Sequence, residues 1–473
     1  MIASTTGSHN TAVGMYALDA NTTGYSNVAV GKESLSGCTT GHRNVAIGLD
    51  ALLVANGTYN TAVGSYAADA LTTGGSNVAI GMHALGAAEA VDSCVAIGYE
   101  ALSANTGGAY LTAVGYGALL QNTTGAGNVS LGFRARRYGT GQNYNTAIGH
   151  EAIQGANGYN SGADNNTALG YRALKAVNSG ASNTAVGAEA LTANTTGARN
   201  TAIGSGCLTA NTTADENVAV GDNCLAGNTT GTKNVAIGHD CMEASNADSN
   251  TGIGWEVMKS LSTGQENTVI GKGAAYAITT GSNNTCIGLR AGENITTAGS
   301  SVCIGNQAGD DQIDTGHDQM FIARVPQGAG NAGVWIYGNS SGACYQGNNS
   351  SSWSTTSDRR LKKNIVDNTK GLAEVNQIRV TNFEYKNEEE IDMSEFPLAD
   401  GPHHVVLGKG NEGTQTGVIA QEIESVLPEC INISDRGAKT VDTDPIMWAL
   451  VNAVKELSAE NTALKSRLDA AGL

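Results

Sequence analysis

Asn27-Val28-Ala29-Val30-Gly31-Lys32-Glu33-Ser34-Leu35 is one copy of the sequence signature that decides the fold of this 473-residue chain. Each copy places a short apolar run between an asparagine and a glycine. The glycine recurs eighteen times, at residues 14, 31, 48, 64, 81, 98, 115, 132, 149, 170, 187, 204, 221, 238, 254, 271, 288 and 305. Fourteen of the seventeen intervals are 17 residues. This period is too short for a helical hairpin and predicts one coil of a β-solenoid per copy.

Within one copy we predict a short strand, a corner at the glycine and a second short strand that ends at a leucine. The residue three places after the glycine is usually alanine, and we expect it to face a narrow core. The leucine one place later should seal the coil against a neighbouring face or chain. Closing segments such as Thr22-Thr23-Gly24 should turn through a positive φ at their glycine.

An asparagine stands four residues before the glycine in fifteen of the eighteen copies. Stacked coils lie about 4.8 Å apart, a spacing at which side-chain amides bond the amides above and below. We therefore predict an asparagine ladder that supports the scaffold. No proline occurs before Pro326, as expected if the coils need every backbone donor. Eighteen coils predict a rod of roughly 85 Å.

The repeat resembles the head domains of trimeric autotransporter adhesins, whose Asn-x-Ala-Ile-Gly repeats are similar to the signature. The resemblance covers about residues 8 to 310. It implies a left-handed parallel β-roll with three chains side by side. Because we identify neither a secretion signal nor a membrane anchor, a cell-surface trimeric adhesin is the second interpretation of the chain.

Cysteine usage and charge restrict the partners. Cys207, Cys224 and Cys241 lie 17 residues apart at inward positions, and Cys286 and Cys303 are 17 apart at the alanine position. We interpret these thiols as core, and we expect no metal and no cofactor. Nine cysteines, no signal peptide and no apolar run near 18 residues predict synthesis in a cytoplasm and no membrane insertion. The net charge of −17 argues against nucleic acid as a partner.

The repeat weakens from about Gly309, so we assign residues 1–310 to the rod and 311–357 to a small β transition or tip. Met320–Val325 and Gly333–Gly338 predict two strands of another fold. The candidate receptor-contacting residues are Trp335, Tyr337, Tyr345 and Trp353. They either contact a host carbohydrate or cell surface or pack within the tip, and the sequence leaves both open.

The last 116 residues have a different composition, because 33 of them are charged against 36 of the first 357. Four motifs follow in order: Ser-Asp-Arg-Arg-Leu-Lys-Lys-Asn-Ile at 357–365, Asn382-Phe383-Glu384-Tyr385, Gly417–Glu422 with Leu427-Pro428-Glu429, and Lys455-Glu456-Leu457. Together they resemble the endosialidase-type intramolecular chaperone domain that ends many bacteriophage tail spikes and tail fibres. We therefore assign residues 358–473 to an α+β chaperone domain.

This resemblance implies a domain that brings three chains together, lets their upstream β-structure wind and then cuts itself off. The family's nucleophile corresponds to Ser357 and its lysine partner to Lys362, with cleavage before Asp358. A neutral lysine can take the proton of the serine hydroxyl if burial or the neighbouring basic residues favour its neutral form.

A heptad seam marks the closing helix, which we place at about 444–470. Asp444-Pro445 predicts its N-cap and first helical residue. The predicted trimer-helix residues are Leu450, Val454, Leu457, Asn461, Leu464 and Leu468. Heptads of this length usually need partner chains, and packing on the helix's own domain is the alternative. Asn461 at an a position is often linked to dimers, in contrast to the trimer that the family implies.

These features predict a mainly β structural protein, the distal part of a homotrimeric phage tail fibre that displays a host-recognition surface. We expect assembly in the host bacterial cytoplasm, a place in the virion, and contacts with other tail or fibre proteins and with a host glycan or protein. The chain begins within the repeat, which predicts either a piece of a longer fibre or end-on docking to another fibre protein. A polysaccharide-degrading tail spike is a third interpretation, disfavoured because the coils lack a regularly placed carboxylate pair. Beyond one self-cleavage we expect no enzymatic activity.

Overall fold

The computed structural model describes residues 5–155, 162–309, 318–323, 334–338, 344–346, 359, 362–396, 413–433 and 438–472. For residues 334, 335, 337, 345, 346 and 388 it describes the backbone alone. The chain divides into two compact units, residues 1–351 and residues 352–473.

One strand per coil builds the first unit, and each strand has three or five residues. The strands are β1 (Thr11–Val13), β2 (Val28–Val30), β3 (Val45–Ile47), β4 (Thr61–Val63), β5 (Val78–Ile80), β6 (Val95–Ile97), β7 (Thr112–Val114), β8 (Val129–Leu131), β9 (Thr146–Ile148), β10 (Thr167–Leu169), β11 (Thr184–Val186), β12 (Thr201–Ile203), β13 (Val218–Asp222), β14 (Val235–His239), β15 (Thr251–Trp255), β16 (Thr268–Ile270), β17 (Thr285–Ile287) and β18 (Val302–Ile304). Consecutive strands pair in parallel with a shift of one repeat, as in Thr184 opposite Thr201. The predicted parallel β-solenoid is confirmed.

The same sheet continues beyond the eighteenth copy. β19 (Met320–Ala323) pairs in parallel with β18, with Met320 opposite Val302. β20 (Val334–Gly338) is antiparallel to β19, and β21 (Cys344–Gln346) is antiparallel to β20. The strands expected here exist, but they extend the solenoid sheet instead of starting another fold, because the last coil leaves backbone donors and acceptors open for pairing.

A turn follows each signature glycine, directly or, in β13 to β15, after one further strand residue, so the predicted second strand is wrong. The residue two places after the glycine and the leucine four places after it have a left-handed backbone, as in Glu33 (φ 58°) and Leu35 (φ 50°). Extended backbone excludes such angles. The turns nevertheless stack, because Leu18 N–H donates to Ser34 O at 3.0 Å and Glu33 N–H donates to Met15 O at 2.9 Å.

Alanine and leucine fill the interior of each coil. Ala29 and Leu35 are fully buried, and Ala17 is nearly so. The leucines therefore pack inside their own coil and not against a neighbouring face or chain, since the left-handed turn places them there. The stacked thiols are also fully buried and free, as expected for core positions: Cys207, Cys224, Cys241, Cys286 and Cys303. A coil with so few inward side chains depends on its neighbours for stability.

The asparagine ladder is present. Asn200 N–H donates to Asn183 Oδ1 at 3.0 Å, and Asn200 Nδ2 donates to Ala214 O at 2.8 Å. Where the sequence departs from asparagine, part of the pattern survives, because Cys94 N–H still donates to Asn77 Oδ1 at 2.9 Å. Each ladder residue thus joins its own strand to the preceding coil and to a closing loop.

Two kinds of glycine have different physical roles. The signature glycines have a positive φ, and a Cβ at Gly187 (φ 134°) would lie 2.3 Å from Gly204 O. The glycines of the Thr-Thr-Gly segments do not have the positive φ that we expected. At Gly24 there is instead no room for a side chain, because a Cβ there would lie 2.3 Å from Gly41 O.

The second unit is a small α+β structure. Its elements are α1 (Leu372–Val375), β22 (Thr381–Phe383), β23 (Gln415–Gly417), α2 (Ala420–Val426), β24 (Ile431–Ile433), β25 (Lys439–Val441) and α3 (Thr443–Ala471). β22 pairs antiparallel with β23, and β24 pairs antiparallel with β25. Ile423, Leu427, Cys430 and Ala449 form its buried core.

The closing helix begins earlier than its sequence predicts. Asp442, and not Asp444, is the N-cap, because its Oδ1 accepts the N–H of Asp444 at 3.0 Å. Pro445 is therefore the third residue of α3, within the first turn where its missing N–H needs no partner. Within the described part of the chain, no helix combines the length and the hydropathy that crossing a bilayer requires.

Replacing a signature glycine should destabilise the solenoid far more than replacing a glycine in the following turn. Gly187→Ala would force a methyl group against Gly204 O at a disfavoured φ, and we expect a loss of about 2–4 kcal/mol in the free energy of unfolding. Gly117→Ala is the matched control. No heavy atom lies within 4 Å of its Cβ position, and Glu100 and Arg134 adopt a left-handed backbone at the same place in neighbouring coils, so about 1 kcal/mol is expected. Thermal unfolding followed by circular dichroism compares the two, and equal losses would contradict the close-packing argument.

Candidate functional site

The predicted cleavage site lies at the start of the second unit. Ser357 and Asp358 are outside the described residues. Lys362 is described, and its backbone N–H donates to Arg359 O at 3.2 Å. Residues 362–369 are all exposed in the single chain. The structure therefore places the lysine on an accessible segment, and the serine–lysine pairing stays a prediction.

Two side chains of α3 hold the segment that follows Lys362. Asn452 Nδ2 donates to Asn368 O at 3.0 Å and to Lys370 O at 2.9 Å. Glu456 Oε2 accepts the N–H of Leu372 at 2.8 Å, at the beginning of α1. The sequence motifs include Glu456 but give no indication of Asn452, because its partners lie more than eighty residues earlier. The closing helix is thus the anchor of the peptide that leads from the predicted cleavage site.

The two central motifs of the domain meet in the β22–β23 pair. Asn382 lies opposite Thr416, whose Oγ1 donates to Asn382 Oδ1 at 2.7 Å. The ring of Phe383 packs edge-on against Tyr385 with centroids 5.3 Å apart. An ion pair between Arg379 and the Glu422 carboxylate, with an Nη1–Oε1 distance of 3.0 Å, links the strand region to α2.

Residues 357–432 match the family described as chaperone of endosialidase. The match begins at Ser357 and includes α1, β22, β23 and α2. The second unit carries an endosialidase-type chaperone domain. A parallel β-solenoid followed by such a chaperone domain is the organisation of a tail-fibre-like or spike-like protein.

The heptad seam of α3 is exposed in the single chain. Only Ala449 and Ala453 of this helix are buried, and every residue from 454 to 472 is exposed. The predicted seam residues Leu450, Val454, Leu457, Asn461, Leu464 and Leu468 are all exposed. Apart from the Glu456 hydrogen bond to Leu372, the helix therefore packs on its own domain through its first turns.

The solenoid also has an uncovered apolar surface, which we call the apolar stripe. It consists of the last outward-facing apolar residue of the signature, immediately before the glycine. In ten coils this side chain is 37–58 % exposed: Val13, Ile47, Ile80, Leu131, Leu169, Ile203, Ile237, Ile270, Ile287 and Ile304. In the other eight it is half-buried. Parallel sheets are normally covered on both faces, so the stripe marks a surface that lacks its cover.

Beside the stripe runs a column of stacked rings. Tyr99, Tyr116, Phe133, His150 and Tyr171 each follow the signature glycine, and successive ring centroids are 5.0–5.6 Å apart. The rings face one another along the rod, so their faces are occupied and their edges point outward. The column widens the apolar surface of these coils.

The candidate receptor-contacting aromatics lie in β20 and β21, except for Trp353, which is outside the described residues. Trp335 and Tyr337 belong to β20, and Tyr345 belongs to β21. Tyr337 stands opposite Tyr345 in this pair and opposite Phe321 of β19. The sheet register thus brings three aromatic positions into one row.

One group among the described residues has the composition of a cation site. Potential ligand atoms of Asp222, His239 and Asp240 lie within 4.8 Å of one another. Lys259 Nζ lies 2.9 Å from Asp240 Oδ2. Although burial opposes the charged carboxylate, this hydrogen bond from Lys259 holds the pKa of Asp240 below its ordinary value. The lysine already supplies a positive charge, so the group is a surface ion-pair network.

Removing the Glu456 carboxylate should release the start of α1. In Glu456→Ala the N–H of Leu372 loses its charged acceptor, and we expect its hydrogen exchange to become about tenfold faster. Glu460→Ala, one turn further along the exposed part of α3, is the matched control. Hydrogen exchange with mass spectrometry reports both, and unchanged protection at 371–373 in Glu456→Ala would show that the anchor is unimportant.

Proposed function

We propose that this chain is the distal structural part of a phage tail fibre, a homotrimeric β-solenoid rod that displays a host-recognition surface. The observation that carries the proposal is the chaperone-of-endosialidase match directly after a β-solenoid. A rod of stacked coils is a spacer and a display surface, and the signature asparagines of its interior are committed to the ladder. Its place is in the virion, after assembly in the host bacterial cytoplasm.

The apolar stripe supports self-association of the rod. Its Val, Ile and Leu side chains recur once per coil from Val13 to Ile304, and each is exposed or half-buried. Covering each half-exposed side chain contributes on the order of 1 kcal/mol, so eighteen coils provide a large driving force. A second copy of this chain has the same repeat, and its stripe can therefore match coil by coil. An unrelated partner would have no reason to present matching side chains at the same one-per-coil spacing.

The seam of α3 supports the same conclusion from the other unit. Its leucines are spaced for a helical partner and are exposed in the single chain. Three copies are expected from the chaperone resemblance, and the polar Asn461 would then fix the register of the helices at some cost in stability.

Self-cleavage is the proposed last step of assembly. Ser357 Oγ would attack the carbonyl carbon of its own peptide bond with Asp358, while Lys362 accepts the hydroxyl proton. The bond to the Asp358 nitrogen then breaks, Lys362 returns the proton to that leaving amine, and water hydrolyses the ester left on Ser357. A lysine acts as a base only when neutral, and burial favours that form. Because Lys362 is exposed in the single chain, we expect a partner chain to cover it on assembly, which makes cleavage follow trimer formation.

Host contact is assigned to the aromatic positions after the last coil, namely Trp335, Tyr337, Tyr345 and Trp353. The antiparallel β19–β20–β21 segment supports this assignment, because it places aromatic positions in one row after the last coil. A host glycan or surface protein is the expected partner. Binding of the assembled rod to a glycan array, and its loss in Tyr337→Ala with Tyr345→Ala, tests this role.

Cross-linking at the apolar stripe should join chains, whereas cross-linking at the closing loop should not. In a Cys344→Ser background, which removes the exposed native thiol, Ile270→Cys should give covalent dimers on oxidation. Thr263→Cys, exposed on a closing loop, should stay monomeric under denaturing electrophoresis. Light scattering of the native protein should give about three times the 48.1 kDa chain mass. A monodisperse monomer, or equal cross-linking of both variants, would refute the stripe as the contact face.

If burial and not neighbouring charge favours the neutral form of Lys362, self-cleavage should depend on Ser357 and Lys362 and not on the adjacent Lys363. Ser357→Ala and Lys362→Ala should assemble but keep the 358–473 piece, because the nucleophile or its base is lost. Lys363→Ala, an equally exposed lysine, should cleave normally. Intact-mass measurement distinguishes the products. A wild-type chain that remains whole after assembly would show that the pair is silent and that the domain is a permanent clamp.

A further inference from the structure

A charged side chain lies in the core of the solenoid. Arg136 is 2 % exposed and takes the position that leucine or isoleucine has in the adjacent coils. Its φ of 48° is close to those of Leu119 (52°) and Ile153 (46°). The guanidinium therefore replaces a core hydrocarbon without changing the course of the backbone.

The guanidinium occupies space that an amide fills in the preceding coils. There Asn105 Nδ2 donates to Gly108 O at 2.9 Å, and Asn122 Nδ2 donates to Gly125 O at 3.0 Å. In the Arg136 coil the corresponding asparagine position is Gly139, where a Cβ would lie 2.8 Å from the Arg136 Cζ. Arg136 Nη2 instead donates to the Gln142 carbonyl O at 3.1 Å and to its Oε1 at 3.1 Å.

The charge of this guanidinium is not balanced by a hydrogen-bonded carboxylate among the described residues. Asp164 is the acid that acts on Arg136 through its charge, but its Oδ1 accepts the N–H of Asn143 at 2.7 Å. Arg136 Nη1 has no hydrogen-bond partner. Burial lowers the pKa of Arg136 to about 10, so the side chain is still charged at neutral pH. A buried charge without a directly bonded counter-ion is unfavourable.

A small cavity adjoins the guanidinium. It is lined by Arg136, Gly139, Gln142, Ile153, Ala163 and Val177, and its volume is about 10 Å³. Ile153, Ala163 and Val177 are at most 4 % exposed. The void is thus large enough for one small ligand.

We propose that this cavity binds one chloride ion against Arg136 Nη1, once per chain. Chloride is a compact single-atom anion, and it would place a negative charge directly against Arg136 Nη1, where no described carboxylate makes a hydrogen bond. The ion would make the stability of this coil depend on chloride, in a solenoid whose other coils have a hydrocarbon or an uncharged side chain at this position.

Bromide substitution tests the site directly in the full-length protein. Crystals grown with bromide in place of chloride should show an anomalous peak within about 3.5 Å of Arg136 Nη1, and the ³⁵Cl resonance of a chloride solution should broaden on addition of the protein. Arg136→Leu, which restores the residue type of the neighbouring coils, should abolish both signals. An electron-density peak in the cavity without anomalous signal would show that the cavity holds water and would overturn the proposal.

A second variant keeps the test independent of folding defects. Asn122 Oδ1 lacks a partner, and Gly139, at the next position of this inner ladder, has no amide to offer it. Arg136→Leu combined with Gly139→Asn should restore that ladder and give a well-folded protein without chloride broadening. In the wild type, each tenfold rise of chloride above its dissociation constant should stabilise this region by about 1.4 kcal/mol, seen as slower hydrogen exchange around residue 136. Equal chloride dependence in the double variant would refute the site.

Discussion

The hydrogen bond that each ladder asparagine accepts from the backbone of the next coil is the interaction on which the solenoid depends. Asn217 N–H donates to Asn200 Oδ1 at 3.0 Å, while Asn200 Nδ2 donates to Ala214 O. A buried amide without these partners would lose about 1–3 kcal/mol. A slip of one residue would turn the alanines outward and remove the amides from their partners. The ladder therefore fixes the register of the whole rod.

The fixed register allows a backbone that would otherwise be unfavourable. Each coil contains left-handed residues that are not glycine, such as Glu189 (φ 59°) and Leu191 (φ 53°). Such conformations cost roughly 1–2 kcal/mol each, and they persist where surrounding contacts determine them. These turns close a coil within 17 residues and direct leucine inward. As a consequence, no described part of the same chain covers the outward face of the strands, which carries the apolar stripe.

The uncovered surfaces explain why a chaperone domain follows the rod. The apolar stripe and the α3 seam are both exposed in the single chain, and a stack of parallel coils forms by long-range pairing, which is slow. While it forms, open sheet edges and apolar faces invite mispairing. A domain that first brings chains together would shorten this exposure. If the rod self-associates as proposed, removal of the domain would be harmless once the stripes were buried against one another.

The sequence by itself determined the period, the position of each strand, the inward alanines and the ladder, because these are local patterns repeated eighteen times. Its chaperone motifs also located the second unit. The turn at Glu33 and Leu35 could not be read from the repeat, since Leu35 N–H is bonded to Ala51 O of the next coil. Within the candidate site, the bond from Asn452 to Asn368 spans 84 residues, and no spacing rule predicts it. The burial of Arg136 likewise follows from the stacked coils, because a leucine position is a core position only after its neighbours enclose it. Tertiary structure decided these features because their partners are distant in the chain and adjacent only in the fold.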